Sequence, residues 1–135
     1  MGQSGVILLD THVVIWIAEG GARLSQRARA AIDAALPPRG GMGICDITLA
    51  ELATAYGKRR LALAVPLHTF LDETEARFAI FPITARACAR SVLLPSSYPR
   101  DPADRIIGAT ALVQGIPLVT ADRLIRRSKA VPTIW

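Results

Sequence analysis

Two cysteines and two histidines in 135 residues leave little material for a soft-metal centre. Cys45 and Cys88 stand far apart, in no metal or redox spacing and with no histidine cluster nearby, which argues against zinc and against a dithiol pair. Both read as reduced core residues of a cytoplasmic protein, since the start, MGQSG, has neither the basic nor the long apolar region of a secretory signal. Aromatic residues make up 5%, so base stacking has few candidates (Trp16, Tyr98, Trp135), and packing is the plainer use for them. The longest apolar runs, such as Val13 to Ala18, are too short to span a bilayer. A glycine-rich phosphate loop, a G-x-G-x-x-G turn and a nucleophile elbow are all missing. Asp10-Thr11-His12 lacks a second aspartate two residues on, which disfavours phosphoaspartyl transfer.

What remains is a globular composition, 51% hydrophobic and 20% charged, with a net charge of +5 carried mostly by arginine. The length suits one domain over residues 1–135 with a sizeable core, and the charge suits a polyanion such as nucleic acid. Val6 to Leu9 is a continuous apolar run ending in Asp10, the pattern of a strand buried on both faces. Helices are expected over 11–19 and 25–36, then a loop, Pro37-Pro38-Arg39-Gly40-Gly41, and a strand over 42–45. Thr48-Leu49-Ala50-Glu51 fits a capping box opening a helix that ends at Lys58-Arg59-Arg60. A helix over 67–77, a strand over 78–82 and a helix over 84–93 follow. Asp101 and Pro102 then start an apolar helix broken at Gly115, Ile116 to Val119 is a strand, and a basic helix after Asp122 leads to a strand at 133–135. Strands alternating with helices imply an α/β fold, a mostly parallel sheet covered by helices.

In such a sheet the carboxyl edge is where ligands bind, and Asp10, Glu51, Asp104 and Asp122 are all placed there by topology. Each has a structural alternative: Glu51 in the capping box, Asp104 in a first helical turn, Asp122 as a cap. Asp10 is the exception, because a charge ending a buried strand is paired or binds metal. Four ionised carboxylates together need a cation, and an all-oxygen donor set suits Mg²⁺ or Mn²⁺. His12 and His68 read as surface or packing residues.

VILLDTHVVIWI, with Asp10, resembles the first motif of the PIN-domain family, and within it the VapC-type toxins of bacterial toxin–antitoxin systems. CDITLAELA, with Glu51, resembles the second motif, and DPADRIIGATALVQGIPLVTAD, with Asp104 and Asp122, the third and fourth. Cys45 departs from a serine common in relatives, and Tyr98-Pro99 from a histidine that often precedes the DP-x-D motif. The resemblance implies a three-layer α/β/α sandwich and an endoribonuclease dependent on Mg²⁺, or Mn²⁺. It also implies a cognate VapB-type antitoxin and, as is frequent in the family, a homodimer, while the short apolar runs already leave no membrane partner expected.

On that footing Asp10 and Asp104 are expected to hold the ion directly, with Glu51 and Asp122 acting through water or on a second ion. Thr11, Thr48 and Thr120 stand beside the acids as hydrogen-bond partners or as plain capping and strand residues, and Asp101 as cap or outer partner. Arg100, Arg105, Arg123 and Arg126, with Arg127, are the expected RNA contacts. Lys58, Arg59 and Arg60 carry less weight, since they complement a helix C-terminus. The apolar run Leu61 to Leu71 is either core or a surface for a second copy or an antitoxin helix. The rivals are a non-catalytic RNA- or partner-binding module, and a metal-dependent phosphatase or DNA nuclease. Possession of all four acids speaks against the first of them.

Overall fold

The side-chain pattern of the strands sets the architecture, seen in a computed structural model that describes residues 5–36 and 41–135. Four of the five residues of the expected 37–41 loop lie outside the described residues. The elements run β1 (Val6–Leu9), α1 (Thr11–Ala18), α2 (Gln26–Ala34), β2 (Gly41–Cys45), α3 (Ile47–Gly57) and α4 (Leu67–Arg77). They continue with β3 (Ala79–Phe81), α5 (Ala85–Ser91), α6 (Pro102–Gln114), β4 (Leu118–Val119), α7 (Arg123–Ser128) and β5 (Thr133–Ile134). Every strand pairing is parallel, in the order β3-β2-β1-β4-β5.

Successive side chains leave a strand on opposite faces, so an all-apolar strand feeds two cores. Ile7 and Leu9 of β1, with Met42 and Ile44 of β2, join Val13, Val14, Ile32 and Leu52 under α1 to α4. Leu8 and Cys45 point the other way, against Ile107 and Ala111 of α6, Leu118 of β4 and Ile125 of α7. The result is the three-layer α/β/α sandwich, with β1 central. Because β2 lies on one side of β1 and β4 on the other, the connections diverge there, and a crevice opens at the carboxyl ends of β1 and β4.

α6 matches its sequence signals at both ends. Asp101 accepts from the Ala103 amide at 2.8 Å, Pro102 takes the first helical position, and Gly115 is left-handed at φ 67°. The Ile116 amide donates to the Ala111 carbonyl and that of Gly115 to Leu112, a Schellman turn. β4 is shorter than the expected 116–119 strand, with Ile116 buried in the core ahead of it.

Tyr98 is fully buried and lies directly over Gly108 of α6, where any β-carbon would collide with its phenol oxygen. Its hydroxyl donates to the Asp104 carbonyl at 3.2 Å. Gly108→Ala is therefore expected to cost about 1–3 kcal/mol by overpacking, although alanine favours helix, and a urea melt reads this directly. An unchanged or raised midpoint would contradict the packing described.

Candidate active site

The carboxyl edge is assembled by short polar links between distant segments. Asp10 caps α1, accepting from the Thr11 amide at 3.0 Å, and the residue is 3% exposed. The Thr120 hydroxyl, just past β4, donates to Asp10 Oδ2 at 2.8 Å and accepts from the Asp122 amide at 3.1 Å. The Thr11 hydroxyl donates to Glu51 Oε1 at 2.6 Å. A hydroxyl has one proton, so at the 3.0 Å contact between Thr11 and Thr48 the donor is Thr48. The order Thr48 to Thr11 to Glu51 ties α3 to the start of α1.

These links replace the expected capping box. α3 begins at Ile47 with Asp46 in the cap position, so Thr48 lies inside the first turn and Glu51 in the second. Thr48 is buried and turned to Thr11 instead of capping its own helix. Asp46 is an edge acid that the sequence reading passed over. It has a structural use, its Oδ2 accepting from the Ile83 amide at 3.3 Å and tying the end of β2 to the residues after β3.

Asp10, Glu51, Asp101 and Asp104 line one open cavity of about 490 Å³, together with Thr11, His12, Lys58 and Arg60. Asp122 does not line it. Its Oδ1 accepts from the Leu124 and Ile125 amides at 2.8 and 3.1 Å, capping α7, and it reaches Asp10 through Thr120. Burial and mutual repulsion mark the cluster. Burial pushes the Asp104 carboxyl up to about 7, helped by the charges of Asp10, Asp101, Glu51 and Asp122. Burial likewise raises Asp10, against the opposing effects of His12, the Thr120 hydroxyl and the Thr11 amide, and it raises Glu51 against the Thr11 hydrogen bond.

Such a set of acids is stable in ionised form only with a cation nearby. Among the described residues no three Asp, Glu, His or Cys groups stand close enough to enclose one ion. The donors still fit a hard divalent ion, which keeps several waters and takes only one or two carboxylates directly.

His12 is a site residue that sequence reasoning missed. Its Nε2 accepts from the Ala121 amide at 2.9 Å, and Nδ1 faces Asp10 Oδ2 at 3.7 Å. A ring nitrogen that accepts carries no hydrogen, so the neutral tautomer has its proton on Nδ1, toward Asp10. The ring also packs edge-on to Trp16. The available signal was its position two residues beyond a strand-ending acid. His12→Ala is expected to raise the metal concentration for half-maximal activity about 10–100-fold and to speed exchange of the Ala121 amide. Unchanged metal dependence and exchange would remove His12 from the site.

The four expected RNA contacts divide. Arg100, Arg123 and Arg126 are exposed, and the last two share a basic surface with Arg127 and Lys129. Arg105 turns inward, its guanidinium donating to the carbonyls of Ser91, Leu94, Pro95 and Pro99 at 2.9–3.1 Å. It pins the loop that carries Tyr98 to the first turn of α6, with four of its five N–H donors committed there.

The parallel sheet and its edge of acids define a PIN domain; the PIN domain profile matches residues 7–130, and the chain belongs to that family. Over 131 residues, 96% of this chain and 98% of the relative, it is 38% identical to Ribonuclease VapC22 of Mycobacterium tuberculosis. A toxin–antitoxin complex from Klebsiella pneumoniae aligns with TM-score 0.59 at 27% identity, covering 86% of each chain. The fold also matches VapBC2 from Rickettsia felis, bound to a promoter DNA fragment, with TM-score 0.70 at 18% identity over 95% of this chain and 96% of that one.

Proposed function

We propose that this chain is a divalent-metal-dependent endoribonuclease, the toxin of a VapBC-type pair. The observation that carries this reading is the convergence of Asp10, Glu51 and Asp104 on one open cavity, in a chain 38% identical to a named ribonuclease. Asp10 and Asp104 would hold Mg²⁺, with Mn²⁺ as a substitute, while Glu51 acts through water. When bound, the ion lowers the pKa of a coordinated water and offsets charge on the scissile phosphate.

The protein's own part is positioning. Thr120 and the Thr11 amide fix both oxygens of Asp10, Thr11 fixes Glu51, and Tyr98 and Arg105 hold the turn that carries Asp104. Asp122 orients the Thr120 hydroxyl through its amide. Cleavage is hydrolytic, with water as nucleophile and no bond between phosphorus and a side chain. Arg100 and the exposed arginines of α7 attract the RNA backbone.

An apolar groove of about 310 Å³ between α1, residues 62–65 and α4, lined by Val14, Ile17, Leu63, Val65 and Phe70, supports a VapB-type antitoxin as partner. Exposed Val92 and Leu93, at 76% and 75%, support a homodimer. Among the described residues no helix is long and apolar enough to cross a membrane.

The test is one assay on RNA, DNA and a small phosphate ester, with Mg²⁺, with Mn²⁺ and with EDTA. Cleavage of RNA alone, lost in EDTA, is the expected result. RNA binding without cleavage under any metal would favour a non-catalytic module, and ester hydrolysis a phosphatase.

A further inference from the structure

The cavity of acids also has basic residues on its wall, and the reading above gives them no task. Lys58 and Arg60 line it, both exposed, at the end of α3. The local backbone explains how they come to share it. The Arg60 amide donates to the Ala55 carbonyl at 2.8 Å and the Arg59 amide to Tyr56 at 3.0 Å, a Schellman turn. Its left-handed position is Arg59 at φ 59°, where glycine would be the less strained choice. Arg59 lines a separate cavity with Tyr56, Gly57, Leu61 and Ala62, so the turn sends Lys58 and Arg60 to the acids' cavity and Arg59 away from it.

Yet the charges in this cavity do not pair. Among the described residues the ion pairs within 4 Å are His12 with Asp10 and His68 with Asp72, and neither Lys58 nor Arg60 takes part in one. Flexible cations sharing an open cavity with four carboxylates, and standing clear of them, leave room for an anion on one side and a cation on the other. A phosphodiester backbone is that anion. We propose that Lys58 and Arg60 form a phosphate subsite, holding the RNA backbone beside the scissile phosphate at the α3 end of the cleft. The proposal rests on the ribonuclease reading for its substrate. It is separate from the α7 arginines, which lie on another surface.

The test compares the Lys58→Ala/Arg60→Ala double variant with a charge-matched control, Arg86→Ala/Arg90→Ala on α5. A labelled single-stranded RNA is titrated in EDTA by fluorescence anisotropy, and KM and kcat are measured with Mg²⁺. A thermal melt checks folding. The double variant should weaken RNA binding and raise KM about tenfold or more, with a smaller change in kcat, and lower the salt slope by roughly 0.7 for each lost contact on a single strand. Lys58→Arg/Arg60→Lys should restore most of the affinity. Affinity and salt slope equal to the control's would overturn the subsite while leaving the nuclease intact. A wild type that cuts no RNA would overturn the nuclease reading, and the binding arm in EDTA would still judge the subsite.

Discussion

Asp10→Asn should abolish RNA cleavage while the protein stays folded. The loss is expected to be a thousandfold or more in kcat, on the order seen when a group acting on the reacting atoms is removed. The asparagine can keep the local hydrogen bonds. Its carbonyl oxygen can take the Thr11 amide, and its NH₂ can donate to the Thr120 hydroxyl, which rotates to accept. A buried acid that burial holds above its usual range becomes a neutral group of the same shape, so the melting temperature should hold or rise slightly. Activity and a thermal melt on one preparation separate the two effects. Near-normal cleavage by the variant would sink the assignment of Asp10, and collapse of the fold would show a structural role instead.

The second large effect is in the pH dependence of stability. The Asp104 carboxyl rises from its ordinary 3.8 to about 7 in the folded protein. Between those values the folded state keeps a proton that the unfolded chain has released, so ν_U − ν_N is negative and stability falls as pH rises. Asp10 and Glu51 are shifted the same way and add to the slope. Metal-free protein should therefore melt progressively lower from about pH 4 to pH 7, and the Asp104 contribution should level off above that.

Mg²⁺ should reverse the trend, because it binds the ionised carboxylates that repel one another. At a hundred times its Kd it adds about 2.7 kcal/mol at pH 8, roughly 10 °C for a chain of this size. At pH 5 protons compete and the shift should shrink. Asp104→Asn should flatten the metal-free slope and reduce the shift. A melting temperature that climbs with pH in EDTA, or that ignores Mg²⁺ at pH 8, would contradict the electrostatics described.

The strands and helices were largely legible in sequence, for reasons visible in particular residues. Val6 to Leu9 has no polar side, and the structure shows Leu8 in one core and Ile7 and Leu9 in the other. Asp101-Pro102 and Gly115 mark the start and stop of α6 by local chemistry alone. Where reasoning failed, the deciding contact was between distant segments. Thr48 and Glu51 satisfy the local pattern of a capping box, but a hydroxyl from residue 11 claims both. Arg105, next to Asp104, looks like a phosphate ligand until the carbonyls of the 91–99 loop are folded over it. Lys58 and Arg60 read as a helix-dipole complement because nothing nearby in the chain reveals the cavity they share with Asp10. The acids were easier to find, since carboxylates at strand ends and helix starts follow from topology without knowledge of side-chain directions.

The bond between Thr120 and Asp10 joins residues 110 positions apart. It exists only after β4 has docked beside β1, so a strand made more than a hundred residues later must be in place before Asp10 is oriented. Every nascent chain that stops short of Thr120 lacks the hydroxyl that orients Asp10, and one that stops short of Asp104 lacks a second acid of the cavity. On the nuclease reading, the growing polypeptide is harmless until Thr120 has been made and β4 has docked. The order of the strands in the sheet thus acts as a timer, delaying activity until a distant later strand has joined the first.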